Sequence, residues 1–132
     1  MANPKILTVR HPWAWAIIHG GKDIENRSWV PTGGYRGPVI IHAGRALDRE
    51  DYDLVAKLCT SDVPEHDLFW ENRGKIIGMV NVVDCVQEHS SPWAEGGSWH
   101  WVLEDPVPAK HSLFVRGQLG LKPPPEDWRR AF

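Results

Sequence analysis

The sequence predicts an α+β fold, a small β-barrel of about six strands with two main helices. Three observations predict it. Apolar and polar residues alternate in several short runs, the period of half-buried strands. Two stretches, after Pro12 and after Leu47, place apolar residues at helical spacing. Glycine and proline punctuate the chain between these runs, so the connections are short. A strand-helix-strand opening normally means a parallel sheet, but here the strands are too few and too separated for a doubly wound fold.

Taken in order, Lys5–Arg10 (KILTVR) alternates, with Ile6 and Thr8 on one face and Leu7 and Val9 on the other. Pro12 suits the first turn of a helix, where its missing N–H costs nothing. Trp13, Ala16 and Ile17 are expected to form the buried stripe of that helix. The Gly20-Gly21 pair ends it, because glycine tolerates a left-handed cap. Lys22–Trp29 reads as a second strand with Asp23, Glu25 and Arg27 on one face. Pro31–Gly37 is a loop, and Pro38–His42 (PVIIH) is an apolar strand of the buried kind. Leu47–Cys59 is the second helix, with Asp48 as N-cap and Leu47 and Tyr52 as a hydrophobic staple. Thr60–Asn72 is expected to be a polar surface loop. Lys75–Val86 is the longest strand, and Gly78 marks a bulge or bend within it. Glu88–Gly97 is a loop. Ser98–Leu103 is a strand that turns Trp99, Trp101 and Leu103 inward and His100 the other way. Glu104–Lys110 is a turn, Ser112–Arg116 a last strand, and Asp127–Phe132 a basic-aromatic tail.

The 132 residues are expected to form a single domain, residues 1–132. A formal net charge of -2 gives no global basic field, so contact with nucleic acid needs a local patch. Arg10, Arg36, Arg45, Arg116, Arg129 and Arg130 are the candidates for one, against the commoner reading of a solvated face. Cys59 and Cys85 stand in apolar contexts without CxxC spacing, so they read as reduced thiols of a cytoplasmic protein. The seven His are scattered without ligand spacing, and no metal is expected. No cofactor is implied. No apolar run reaches ~18 residues, so no membrane span is expected, and no signal peptide is read at the N-terminus. Oligomeric state is not legible.

Chemistry concentrates in Leu7–Trp29. Lys22, Glu25 and Arg27 follow directly on Pro12, Trp13 and the glycine pair. Two readings compete. As a site, an ammonium and a guanidinium recognise phosphate or a base carbonyl, and Glu25 accepts from an exocyclic amine. As structure, Glu25 pairs with Lys22 or Arg27 and fixes the turn. Eight Trp in a chain of this size suggest that some rings line a groove. Trp13, Trp29 and Trp93 are candidates for stacking an unpaired base, although Trp13 equally suits a helix anchor in the core. Asp84, between apolar neighbours, is either a buried hydrogen-bonded acid or a second site carboxylate. His100 is more often a satisfied polar group than a catalyst. The run Gly20-Gly21-Lys22 lacks the spacing of a phosphate loop.

The segment Gly20–Arg27 reads G-x-K-x-x-E-x-R. With His11-Pro12-Trp13-Ala14, Glu25-Asn26-Arg27-Ser28-Trp29, Gly34-Tyr35-Arg36-Gly37, Gly78–Cys85 and Phe114-Val115-Arg116-Gly117, it resembles the activating signal cointegrator homology (ASCH) domain. That family has the fold of the pseudouridine synthase and archaeosine transglycosylase (PUA) domain. The resemblance covers nearly the whole chain. It implies a PUA-like barrel with a cleft beside the motif, and RNA or a modified nucleoside or nucleotide as partner. Ligand-binding candidates are then Pro12, Trp13, Lys22, Glu25, Arg27, Ser28, Trp29, Trp93, His100 and Arg116. Certain bacterial members look like amidohydrolases acting on N4-acetylcytidine through the motif lysine, a threonine three residues on and a later acid. Here Lys22 matches the lysine, Glu25 stands at the threonine position and Asp84 is the approximate match for the acid. Other members are described as cutting single-stranded RNA. A protein-interaction adaptor that presents exposed Trp is the reading from a third class.

Overall fold

The computed structural model describes residues 3–132. Five strands and three helices follow in the order β1 (Lys5–His11), α1 (Trp13–His19), β2 (Ile24–Arg27), β3 (Gly37–Leu47), α2 (Tyr52–Leu58), α3 (His66–Asn72), β4 (Ile76–Val86) and β5 (Trp99–Pro108). They form one mixed sheet of strand order β1-β3-β4-β5-β2. Only β1 and β3 run parallel, and the other pairs are antiparallel. The sheet curls into a half-barrel, so the α+β barrel-like expectation holds. Its two edge strands, β1 and β2, do not ladder. Instead Arg27 Nη2 of β2 donates to the Thr8 carbonyl of β1 at 3.2 Å. This seam between the edges is where the site lies.

Burial explains why each strand reads as it does. On the concave face Leu7, Val9, Val39, Ile41, Val80, Val82, Trp101 and Leu103 close over Ala14, Ile17 and Ile18 of α1. On the other face Ile6, Ile40 and Ile76 are covered by Leu113, Val115, Trp128, Ala131 and Phe132. The run Val39–Ile41 is apolar without alternation because both faces of β3 are covered. Each such side chain contributes about 1.5–3 kcal/mol on burial.

Five strands replace the expected six. Ser112–Arg116 makes one isolated bridge, Phe114 to Lys75, rather than a ladder. Its apolar Leu113 and Val115 are used to cap the second core instead. The expected loop Thr60–Asn72 contains α3, whose one buried residue, Phe69, gives no periodic stripe to read. β3 runs on past His42 to Leu47, which shortens the second helix to Tyr52–Leu58. No side-chain cap forms there. Asp48 pairs with Arg10 at 3.3 Å instead. The expected turn at Glu104–Lys110 belongs largely to β5. In α1 the buried residues are Ala14, Ala16, Ile17 and Ile18, and Trp13 lies outside that set. Of the glycine pair, Gly21 takes the left-handed φ of 80°.

Gly78 stands at a bulge, as expected, with Gly78 opposite Ile41 and Ile76 opposite His42, and it also serves close packing. A Cβ there would stand 2.5 Å from Ile18 Cδ1 and 2.7 Å from the Val107 carbonyl. The carbonyl is backbone and cannot step aside. Gly78→Ala is therefore expected to cost about 1–3 kcal/mol, the range for overpacking a tight core. Chemical denaturation monitored by tryptophan fluorescence measures it, and an unchanged midpoint would refute the contact.

Candidate functional site

A cleft of about 710 Å³ opens at the seam. Its walls come from Thr8, Val9 and Arg10 of β1, Glu25, Asn26 and Arg27 of β2, Trp13 and Lys22 beside α1, Gly44, Arg45 and Ala46 of β3, and the segment Gly117–Gly120. Asp48, Asp51 and Glu95 complete it. The local reason is connectivity. α1 is only seven residues long and joins the two edge strands, so the chain leaving β1 and the chain entering β2 stay close.

Glu25 is the centre of the floor. Its Oε1 accepts from Lys22 Nζ at 3.2 Å. Its Oε2 accepts from Arg27 Nε at 3.0 Å and stands 2.7 Å from Arg27 Nη2. Lys22 also donates to the Ile24 carbonyl. The Lys22 and Glu25 side chains are only 2% and 8% exposed. Burial alone would raise the Glu25 carboxyl, but the two neighbouring cations outweigh it and hold it below its ordinary value. Burial depresses the Lys22 ammonium below its ordinary value, and Glu25 offsets part of that. Both Glu25 oxygens take donors. Glu25 therefore pairs with both cations, and Oε1, with a single donor, keeps one acceptor position.

Aromatic rings stand above the trio. Trp13 lines the cleft, and its Nε1 donates to Asp51 at 3.2 Å. Lys22 Nζ lies 5.7 Å from the Trp13 ring centre and 6.0 Å from that of Trp93. The two rings meet edge to face at 6.5 Å. Trp93 itself is buried in a small core with Ala16, Ile24 and Val55. Asn26 ties the loop of Trp93 to β2, donating to the Trp93 carbonyl at 3.0 Å and accepting from the Glu95 N–H at 2.9 Å.

The remaining candidates separate. Pro12 is buried where β1 meets α1, and Ser28 is exposed. Trp29 packs edge-on against Trp101 at 4.9 Å, with the Arg27 guanidinium 5.9 Å from its ring. None of these three walls the cleft. His100 is buried and satisfied. Its Nδ1 accepts from the His89 N–H at 3.1 Å, and Nε2 donates to the Glu95 carbonyl at 2.7 Å. Asp84 is neither buried nor at the cleft. Its side chain is 61% exposed and lies 4.0 Å from Arg36. The apolar neighbours misled because the β4–β5 register shifts between Val82 and Asp84, where Val83 and Asp84 are both exposed although Cys85 packs on the core again. Arg116, Arg36, Arg129 and Arg130 also lie off the cleft, whereas Arg10 and Arg45 line it. Sequence reasoning missed Thr8, Asp51 and Gln118 as wall residues. No local signal marks them, since they meet only through the folded seam. Among the described residues no group of His, Cys, Asp and Glu is arranged to hold a metal, and no helix is long and apolar enough to cross a membrane.

A family model described as ASCH domain matches residues 7–108. A comparison with curated proteins found no match.

Proposed function

The chain belongs to the ASCH domain family, in general RNA-binding modules of PUA-like fold, and from that premise we propose that the seam cleft binds one unpaired nucleotide unit of RNA or a modified nucleoside. The observation that carries this is the cleft's composition. About 710 Å³ is in the range of small-molecule sites. An indole wall, Trp13, stands over a buried lysine-carboxylate-arginine floor. The lining holds four cations, Arg10, Lys22, Arg27 and Arg45, against four carboxylates, Glu25, Asp48, Asp51 and Glu95. Such a balanced surface suits a nucleobase, with its mixed donors and acceptors, better than a bare phosphate. The base stacks on Trp13 and meets the part of Lys22 and Arg27 that Glu25 leaves free.

Hydrolysis receives less support. A general base must be free to take a proton. Lys22 is tied to Glu25 and to the Ile24 carbonyl, Glu25 already takes donors on both oxygens, and Asp84 does not line the cleft.

The test is titration with single-stranded oligoribonucleotides and modified nucleosides at low salt, followed by tryptophan fluorescence. Trp13→Leu is expected to weaken binding by about 1–3 kcal/mol, roughly 5–150-fold. Absence of any response from folded protein overturns the reading.

Arg45 is exposed, and among the described residues it is the cleft cation without a carboxylate within 4 Å. Arg45→Met is expected to weaken RNA binding alike across sequences and to reduce the salt slope by about 1. Affinity measured at several salt concentrations decides it. An unchanged slope would place Arg45 off the backbone path.

A further inference from the structure

The structure assigns a second binding site, for a phosphate monoester, to the recess on the far side of α1. This recess, of about 190 Å³, shares no wall residue with the cleft. Trp13 and Trp15 lie two positions apart in α1, about 200° around the axis, and so face opposite ways. Trp15 and His19, one turn apart, line the recess together. Lys75, Lys110 and His111 face them.

Charge decides the ligand class. The cleft balances its cations with carboxylates, but no Asp or Glu lines the recess among the described residues. Neither Lys75 nor Lys110 has a carboxylate within 4 Å among those residues. The ammonium groups of Lys75 and Lys110, around a space of a few water volumes, form a local positive field that the net charge of -2 conceals, and the rings of His19 and His111 add N–H donors beside them. His11 contributes to the base of the recess. It is 1% exposed, and neither ring nitrogen has a hydrogen-bond partner. Those nitrogens are closed off from solvent, so His11 packs beneath the recess, and the donors that face a ligand are Lys75, Lys110, His19 and His111. Phosphate suits the set because it accepts several charge-assisted bonds from a compact group.

The phosphate has two sources, a free small molecule or the 5′ end of an RNA strand, and the experiment separates them. Inorganic phosphate, a 5′-phosphorylated oligoribonucleotide and its 5′-hydroxyl counterpart are each titrated into the intact protein. The imidazole signals of His19 and His111 are followed by NMR. A saturable shift with inorganic phosphate, weakened about tenfold or more in Lys75→Met/Lys110→Met, is expected. Equal response to phosphate and to the phosphorylated strand identifies a small-molecule site. Much tighter response to the phosphorylated strand alone identifies an RNA end. Shifts that never saturate, or that persist unchanged in the double variant, overturn the site. Lys110 is exposed and Lys75 half-buried, with its ammonium 5.2 Å from the Phe114 ring centre, and a thermal melt of the variant checks that the fold is retained. Binding at the Trp13 cleft plays no part in these readouts, so the two sites stand or fall separately.

Discussion

Glu25→Gln is expected to destabilise the protein by about 3–5 kcal/mol, the cost of stripping the partner from a buried charge. A domain is stable by only about 5–15 kcal/mol in total, so this single change removes a large share. The reason is Lys22. Its side chain is 2% exposed, and Glu25 is its one carboxylate partner among the described residues. Lys22→Met is expected to cost less. It leaves Glu25 with two Arg27 nitrogens on Oε2, so the remaining charge stays paired. The pH dependence identifies the cause. In Glu25→Gln the folded state resists protonating Lys22, whose ordinary value is 10.5, more than the native protein does. The unfolded chain then binds more protons than the folded one, so the deficit shrinks as pH rises towards that value. In the native protein the depressed Glu25 carboxyl stabilises above its ordinary 4.5, and that contribution is lost as pH falls below it. Urea denaturation of both variants across pH gives these numbers. Equal losses in the two would show that packing, not charge, holds the floor.

The second large effect belongs to His11 and to acid. Burial pushes its imidazole down from 6.5 to about 4. Above pH 6.5 the ring is neutral whether the chain is folded or not, and it adds no pH dependence. Between 6.5 and about 4 the unfolded chain takes up a proton that the folded one refuses. Stability therefore falls across that window, by about 3 kcal/mol in all. The ring stacks on Phe69 at 5.0 Å, and its nitrogens carry an unmet hydrogen-bonding cost. His11→Leu keeps most of the volume and removes the nitrogens. It is expected to be at least as stable at pH 7.5 and to lose this fall between 6.5 and 4. Denaturation midpoints at matched pH compare the two. A His11→Leu profile parallel to the native one would assign the acid response elsewhere, with His42, also depressed by burial, the next candidate.

Local chemistry explains why some elements were legible. The period of KILTVR, Pro12 before the helix and the glycines after it all act within a few residues. The GxKxxExR segment declared its charges, and they meet as a floor because Lys22 and Glu25 are three residues apart in one turn and strand. Other elements carried no such mark. α3 is polar apart from Phe69, and the extension of β3 through Gly44, Arg45 and Ala46 has no strand composition. Asp84 looked buried from its neighbours, yet a register shift between β4 and β5 coincides with its exposed position.

By itself the sequence determined the class of fold, the family and the three charged residues of the floor, since periodicity, punctuation and short-range pairing are properties of neighbouring residues. Only the tertiary structure decided that the sheet stays open between β1 and β2, that Trp13 turns to the cleft while Trp93 goes into the core, and that Asp84 and His100 stand apart from it. Those outcomes depend on which strands end at an edge and which faces another segment covers. They are contacts between residues far apart in the chain, where burial and backbone pairing override local preference.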